Sequence, residues 1–337
     1  MTAIGVVGGY GSVGRATVAQ LLAWGLGPVV VAGRDPARAD VVLDADDQDG
    51  LDRLCASVKL VVNCTGAPHE SRAPVAEAAA RAGVPYIDPD GDEPLHELLA
   101  GGSHAVPVVL SAGMLPGLSS LLPRLLVTEP GERLVCYAGG QDLFTVAAAA
   151  DYLSTVDRSA GRTFAVWRDG ARVERAGVPA IEGDVPHFSE PASGVPFLSA
   201  EMERLARRLD LAELVFYSVF PGRRLRAALV AAEVDPAAVV RASELDAFGR
   251  SRYQRLVFEV RGGPTMVLTG RGSSELTGAT AAMAALAVLD GAVAPGLHYA
   301  ADVLDPAWAR ERLLDTDAVT GLRVVAADAL EPEEGTI

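Results

Sequence analysis

The sequence contains few cysteines, few aromatic residues and no long hydrophobic run. Its 337 residues include three cysteines, Cys55, Cys64 and Cys136, without a CxxC pair, so neither a disulfide framework nor a structural zinc site is expected. The longest apolar runs, such as 145–150 and 281–289, are too short to cross a bilayer. The first residues also lack the basic segment of a signal peptide. We therefore expect a soluble, cytoplasmic protein that does not associate with membranes.

Basic residues are also scarce. The chain has 29 Lys and Arg against 44 Asp and Glu, a net charge of −15 with neutral histidines. Nucleic acid is not an expected partner, because binding a phosphate backbone requires a basic surface. A small anionic ligand remains compatible, since a few N–H groups hold a phosphate locally. Half of the residues are hydrophobic, which provides enough apolar surface for one large or two smaller globular domains.

Short apolar runs alternate with amphipathic stretches over the first 126 residues. The runs that predict strands are Ile4–Val7, Pro28–Ala32, Asp40–Leu43, Leu60–Asn63, Pro85–Ile87 and Val106–Leu110. They are continuously apolar, which is typical of parallel strands buried on both faces. The predicted fold class is therefore α/β, with a Rossmann-type doubly wound parallel sheet.

A different pattern follows residue 130, where the apolar runs predict an inserted α+β domain with an antiparallel sheet. The runs Leu256–Val260 and Met266–Thr269, separated by a short Gly-Gly-Pro turn, predict a hairpin. The Pro-rich stretch Ala176–Ser199 predicts a long loop. An Ala-rich helix over Ser274–Leu289 is expected to be buried and to pack on the first domain.

These patterns divide the chain into two domains. We predict a dinucleotide-binding domain over residues 1–125, completed by residues 273–330. Residues 126–272 are predicted to form a domain that binds substrate and mediates dimerisation.

The strongest motif is a glycine-rich turn after the first predicted strand. Gly9-x-Gly11-x-x-Gly14 follows Ile4–Val7 and opens a helix, which is the context that a dinucleotide-binding fingerprint requires. Gly9 is expected to allow the tight turn, Gly11 the approach of a pyrophosphate and Gly14 close helix–strand packing. The candidate cofactor-binding residues of this turn are Gly9, Tyr10, Gly11, Ser12, Val13 and Gly14.

The end of the second predicted strand indicates which dinucleotide binds. An NAD-binding domain carries an acidic residue there for the adenosine ribose. This chain has Gly33 and Arg34 instead, which are expected to leave room for a 2′-phosphate and to pair with it, with Arg38 one helical turn onward. The alternative is that Arg34 is a solvated loop residue and that Asp35 binds the ribose of NAD. We favour NADPH, with Gly33, Arg34 and Asp35 as contacts.

With these motifs, the chain resembles the saccharopine dehydrogenase-like reductases. The matching segments are GGYGSVG, AGRDPARA, VVNCTGAP, AGVPYIDPDGD, AGMLPGLSS and TGATAAMAAL. The family often has Gly-Glu after Tyr-x-Asp, whereas here Gly91 is followed by Asp92. The resemblance implies an NADP-dependent enzyme that reduces C=N bonds or forms secondary amines; relatives also include enoyl reductases. Residues 128–272 carry no recognised motif, so the substrate is not implied.

Three segments are expected at the carboxyl ends of the strands, where an open α/β sheet binds its ligand. By resemblance, the loop after the fourth strand passes beside the nicotinamide ribose, and its candidates are Asn63, Cys64, Thr65 and Gly66. The turn after the sixth strand opens a helix and is expected to reach the nicotinamide carboxamide through Ala112, Gly113 and Met114. For both segments the alternative is an ordinary turn or packing.

The third segment, from Tyr86 to Asp92, carries three carboxylates. Crowded carboxylates raise one another's pKa, so Asp88, at the end of its strand, is predicted to act as a general acid. The alternative is an Asx turn with exposed aspartates.

The other candidate proton donors are Tyr86, Cys64, His187 and His298, of which Tyr86 and His298 join Asp88 as predicted catalytic residues. A surface or hydrogen-bonded role is the alternative for each histidine. No HxxxH or HExxH spacing occurs in the sequence, so no metal is predicted.

The leading hypothesis is an NADPH-dependent oxidoreductase that reduces an imine- or thiazoline-type C=N bond of a small amino-acid-derived substrate, in secondary metabolism. One alternative is an enoyl reductase acting on a carrier-bound acyl substrate, and the other is a non-catalytic NADPH-sensing protein. The basic cluster Arg223, Arg224 and Arg226 is a candidate contact for a substrate carboxylate or a carrier's phosphopantetheine, or else a solvated helix start. A homodimer through an exposed sheet edge is also predicted.

Overall fold

The fold was analysed in a computed structural model, which describes residues 3–66, 69–146, 148–150, 162–229 and 235–326. Two sheets organise these residues, and helices pack against both. None of the helices in the described ranges combines the length and the apolar character needed to span a bilayer.

The first sheet contains seven strands, all parallel, in the order β15-β6-β5-β4-β1-β2-β3. They are β1 (Ala3–Val7), β2 (Val29–Gly33), β3 (Val41–Val42), β4 (Val58–Asn63), β5 (Tyr86–Ile87), β6 (Pro107–Leu110) and β15 (Gly296–Tyr299). The central strands are buried on both faces, which explains why their sequences are continuously apolar. The predicted Rossmann fold class is confirmed.

Helices connect these strands. They are α1 (Ser12–Ala23), α2 (Gln48–Ser57), α3 (His69–Ala82) and α4 (Glu93–Leu99), and the short α5 (Leu118–Leu121) follows β6 and runs into a 3-10 turn. Because every crossover returns to the same end of the sheet, the loops after β1, β2, β4, β5 and β6 meet at one edge.

The second sheet has nine strands, in the order β10-β11-β12-β7-β13-β14-β16, with β8 paired to β12 and β9 to β8. They are β7 (Arg133–Gly139), β8 (Val166–Arg168), β9 (Ala171–Val173), β10 (Ile181–Gly183), β11 (Ala192–Pro196), β12 (Glu213–Phe220), β13 (Gln254–Val260), β14 (Thr265–Gly270) and β16 (Val319–Val325). The predicted hairpin is confirmed as β13–β14, with Phe258 opposite Met266.

Two expectations for this sheet were wrong. The sheet is mixed, because β7 and β12 run parallel, in register from Arg133–Glu213 to Gly139–Val219. A parallel pair needs a crossover connection, and the helix α6 (Ala200–Arg208) immediately precedes β12. The segment expected to be one long loop, Ala176–Ser199, instead contains β10 and β11, which extend the sheet beyond β12.

The remaining helices are α7 (Arg223–Leu229), α8 (Pro236–Ala247), α9 (Ser273–Leu289), α10 (Ala300–Val303) and α11 (Pro306–Leu314). The Ala-rich α9 is buried along most of its length and packs on α1, as expected. A Cβ at Gly278 would lie 2.5 Å from the Cβ of Ala16, so this glycine permits the close approach of the two helices.

The C-terminal part of the chain contributes to both sheets. β15 extends the first sheet beside β6, whereas β16 extends the second sheet beside β14. The predicted domain limits, 1–125 with 273–330 and 126–272, remain a prediction.

Candidate functional site

The glycine-rich turn joins β1 to α1 and leaves little room for side chains. Gly8 has a φ of +73°, and a Cβ there would lie 2.7 Å from the Cys64 carbonyl oxygen. The positive φ of the turn therefore falls at Gly8, one residue before the Gly9 that is predicted to allow the tight turn. At Gly9 a Cβ would instead be 3.0 Å from a Val31 methyl group.

Gly11 and Gly14 differ in a way that matters for ligand binding. A Cβ at Gly14 would lie 2.2 Å from the Gly8 carbonyl oxygen, whereas a Cβ at Gly11 would meet only that oxygen, at 3.2 Å. Gly14 therefore serves packing, and Gly11 borders open space. No side chain caps the N-terminus of α1. The first amide groups of the helix, including those of Ser12 and Val13, therefore have no side-chain cap, which is compatible with the predicted binding of a pyrophosphate there.

The Tyr10 side chain contacts the residues at the end of β2. A Cβ at Gly33 would lie 2.5 Å from the Tyr10 ring, so the space expected to admit a 2′-phosphate holds this ring instead. The Tyr10 hydroxyl accepts the Asp35 amide at 3.1 Å, and the Asp35 carboxylate accepts the Ala37 amide at 3.0 Å. Arg34 is exposed and has no hydrogen bond or ion pair within the described part of the chain. Its guanidinium is thus available to a phosphate.

Asn63 fixes the loop after β4. Its side-chain oxygen accepts the Thr65 hydroxyl at 2.8 Å and the Thr65 amide at 3.3 Å. The Cys64 thiol lies 3.6 Å from the Thr17 hydroxyl, and burial raises its pKa to about 12, so the thiol keeps its proton at neutral pH. Gly66 is exposed at the end of the described part of this loop.

Asp88, directly after β5, is the centre of a buried polar cluster. It has no exposed surface, and it accepts five hydrogen bonds, from Arg72, Tyr86, Asn63 and the Asp90 and Gly91 amides. The Arg72 guanidinium lies 2.8 Å from Asp88 and 2.6 Å from Asp90.

The predicted general-acid role of Asp88 remains a prediction. Within the cluster, the five donors occupy both carboxylate oxygens of Asp88. Tyr86 is equally buried, and burial raises the pKa of its phenol. The cluster therefore positions the loops after β4 and β5, and sequence analysis missed Arg72 because an arginine within a helical stretch is usually solvated.

The turn after β6 is packed into the protein. Ala112 and Met114 are buried, and the Met114 amide donates to the Thr277 hydroxyl at 3.3 Å. A Cβ at Gly113 would lie 2.3 Å from the Pro89 carbonyl oxygen, so Gly113 permits contact with the loop after β5. The predicted contact of Ala112, Gly113 and Met114 with nicotinamide remains a prediction.

Glu201, at the start of α6, fastens this turn to the second sheet. Its carboxylate accepts the Gly117 amide at 2.7 Å and the hydroxyls of Ser119 and Ser120 at 2.7 and 2.6 Å. Burial raises its pKa. Sequence analysis missed Glu201, because an acidic residue in the first turn of an amphipathic helix normally faces solvent.

The other sequence candidates lie apart from the Asp88 cluster. His298 is on the edge strand β15, with its ring nitrogen 3.0 Å from the Ala294 carbonyl oxygen. His187 lies between β10 and β11, where its carbonyl accepts Arg255. In the basic cluster, Arg224 pairs with Asp246 at 3.3 Å, and Arg226 pairs with Glu182.

Taken together, the fold and the glycine-rich turn define a dinucleotide-binding protein, and comparison with known proteins specifies its class. Residues 4–98 match the saccharopine dehydrogenase NADP binding domain. Residues 4–98 are therefore a saccharopine dehydrogenase-type NADP-binding domain, so the predicted cofactor, NADP(H), and the predicted resemblance to saccharopine dehydrogenase-like proteins are confirmed.

Two relatives illustrate this similarity. A probable mitochondrial saccharopine dehydrogenase-like oxidoreductase of Arabidopsis thaliana is 33% identical over 87 residues, which are 25% of this chain and 18% of the plant protein. The chain thus spans less than a fifth of that relative. The apo structure of saccharopine dehydrogenase (L-Glu forming) from Saccharomyces cerevisiae aligns with a TM-score of 0.68, 16% identity, 97% of this chain and 100% of the yeast chain. The similarity to the yeast structure shows that the two chains share a fold.

Proposed function

We propose that the protein is an NADPH-dependent reductase of an imine- or thiazoline-type C=N bond in a small amino-acid-derived substrate of secondary metabolism. The observation that supports it most is the position of the NADP-binding turn, which shares one sheet edge with the Asn63 loop and the Gly113 turn. Glu201 ties the Gly113 turn to the second sheet. A saccharopine dehydrogenase fold in an L-Glu-forming yeast enzyme supports the choice of an amino-acid-type substrate.

The residues of this chain would act mainly by positioning. Bound NADPH supplies the hydride for the acceptor carbon. The amides at the N-terminus of α1 would hold the pyrophosphate, and Arg34 the 2′-phosphate. The hydrogen bonds from Thr65 to Asn63 would hold the loop beside the nicotinamide ribose in place. Hydride transfer depends on this orientation more than on a nucleophile.

The proton for the product nitrogen would come from outside the Asp88 cluster. Asp88 and Tyr86 have no exposed surface, so we assign them positioning roles. His298 remains a predicted donor; its ring is bonded to the backbone of its own strand segment.

A substrate screen tests this proposal. NADPH oxidation is measured with cyclic imines, thiazolines, keto acid–amine pairs and enoyl thioesters. Turnover of an imine or thiazoline supports it. Turnover of enoyl thioesters alone would assign C=C reduction instead, and tight NADPH binding without turnover of any substrate would indicate a sensing protein.

We also propose a homodimer through the second sheet. β16 ends the strand order of this sheet, and its Val324 is 49% exposed, so its outer edge is available to a second copy. A monomeric mass by light scattering, at concentrations up to those used for activity, would contradict it.

A further inference from the structure

The glycine-rich turn contains an aromatic residue, Tyr10, whose ring packs against the end of β2. Tyr10 lies in the glycine-rich turn, between Gly9 and Gly11, and its ring extends over the end of β2. Three observations connect it with the discrimination between NADPH and NADH.

The first observation is steric. A Cβ at Gly33 would lie 2.5 Å from Tyr10 Cε1 and 2.9 Å from its Cζ, so any side chain at position 33 requires the ring to move. In an NAD-binding domain an acidic side chain near this strand end binds the ribose 2′-hydroxyl. The Tyr10 ring thus occupies the space of such a carboxylate.

The second observation concerns the turn after β2. The Tyr10 hydroxyl accepts the Asp35 amide at 3.1 Å. The Asp35 carboxylate accepts the Ala37 amide, and the Asp35 carbonyl accepts the Arg38 amide at 3.1 Å. Asp35, the alternative ribose ligand, is therefore committed to the turn, while Arg34 is left exposed.

The third observation concerns Arg38. Its guanidinium lies 4.5 Å from the centroid of the Tyr10 ring and donates to the Tyr10 carbonyl at 2.8 Å. Arg15 donates to the same carbonyl at 3.1 Å. Tyr10 therefore packs against the planar Arg38 group, and Arg38 as a residue is exposed.

We propose that Tyr10 is a positioning and specificity-determining residue: it excludes an NAD-type carboxylate at the end of β2 and holds Arg38 beside Arg34 as a second cation for the 2′-phosphate. The adenine ring would stack on the free face of the Arg38 guanidinium. The inference builds on NADP(H) binding by residues 4–98, and it adds how this chain selects the phosphorylated cofactor.

Binding measurements test the proposal without any substrate. Dissociation constants for NADPH and NADH are determined by calorimetry for Tyr10→Ala, Tyr10→Phe and Arg38→Leu, with Arg53→Ala, an exposed arginine on α2, as the control for lost charge. Tyr10→Ala and Arg38→Leu are expected to weaken NADPH binding about tenfold or more relative to NADH binding. Tyr10→Phe keeps the ring and is expected to retain most of the preference for NADPH over NADH. The control is expected to leave both constants unchanged.

A double variant tests the steric part. Gly33→Asp alone is expected to bind both cofactors weakly, because the new side chain meets the Tyr10 ring. Adding Tyr10→Ala removes the ring and is expected to shift preference toward NADH by about tenfold. If the role of Tyr10 were only structural, its removal would weaken the binding of NADPH and of NADH by the same factor. Equal weakening of NADPH and NADH binding in Tyr10→Ala would overturn the proposal. If Tyr10→Ala does not fold, an unchanged ratio of the two dissociation constants in Arg38→Leu would overturn it.

Discussion

The Asn63 amide nitrogen lies 2.9 Å from the Tyr86 hydroxyl oxygen and 3.4 Å from Asp88 Oδ2, all three within the protein interior. Asn63 is the last residue of β4, and Asp88 directly follows β5. The two neighbouring strand ends are therefore joined by buried side chains, while the other side of Asn63 holds Thr65. This connection makes the position of the loop after β4 depend on the buried Asp88 carboxylate.

Asp88→Asn tests this dependence. The substitution preserves the shape of the side chain but removes the buried carboxylate that pairs with Arg72, which is 3% exposed and keeps its contact with Asp90. Loss of one partner of a buried ion pair is expected to cost about 3 kcal/mol of unfolding free energy. Turnover is expected to fall more than NADPH affinity, because the loop after β4 is proposed to lie beside the nicotinamide ribose.

Denaturant unfolding, calorimetric titration and steady-state kinetics measure these three quantities. Asp90→Asn is the matched control, since Asp90 contacts the same guanidinium but its side chain is 36% exposed. Unchanged turnover in Asp88→Asn would contradict both the predicted catalytic role and the positioning role of Asp88.

Substitutions at two glycines of the nucleotide turn are expected to have different effects: one abolishes NADPH binding, and the other lowers stability. Gly11→Val fills space that only the Gly8 carbonyl oxygen borders, so the fold is retained and NADPH binding is abolished. Gly14→Ala places a methyl group 2.2 Å from that oxygen, so α1 must shift and stability falls by several kcal/mol, on the order of an overpacked core site. Thermal melting with and without NADPH separates the two effects. A folded Gly11→Val variant that still gains stability from NADPH would contradict the assignment.

The sequence predicted the strands and the nucleotide turn because both depend on local patterns. Continuous apolar runs indicate parallel strands, and β1 with its glycines forms a motif whose spacing is fixed by geometry. The hairpin β13–β14 was predictable for the same reason.

The parts that were not predicted depend on contacts between distant segments. Glu201 and Ser120 are separated by 81 positions, and Arg72 and Asp88 by 16, so no periodicity indicates that they meet. The Pro-rich segment 176–199 has weak strand patterning, and β10 and β11 form there because β12 offers an edge. The burial of Asp88 among five hydrogen-bond donors is likewise a property of the tertiary structure.

Cys64 should react slowly with alkylating reagents. Burial raises its pKa to about 12, so at pH 8 a far smaller fraction of the protein carries the reactive thiolate than for an unperturbed thiol. The rate of iodoacetamide modification is expected to rise with pH up to the limit of the folded range without levelling off. A variant with Cys55→Ser and Cys136→Ser isolates the Cys64 signal, and its rate is read by mass spectrometry. A rate that levels off near pH 8 would contradict the prediction.

Glu201 should give the protein a pH-dependent stability. Burial raises its pKa above the ordinary value of 4.5, so the folded protein holds this proton more tightly than the unfolded chain does. The resulting stability is fully present below the unfolded-state pKa and is lost as the pH rises through the folded-state pKa. Glu201→Gln cannot titrate, and it loses an acceptor for Gly117, Ser119 or Ser120, at a cost of about 1–3 kcal/mol.

The difference in unfolding free energy between the wild type and Glu201→Gln is therefore expected to be largest at acidic pH and to narrow as the pH approaches neutrality. Urea unfolding at several pH values above and below 4.5 measures this difference, with Glu311→Gln, an exposed site on α11, as the control. A difference that widens with pH would mean that the charged form is the better-stabilised state, because its hydrogen bonds to the Gly117 turn would then outweigh desolvation.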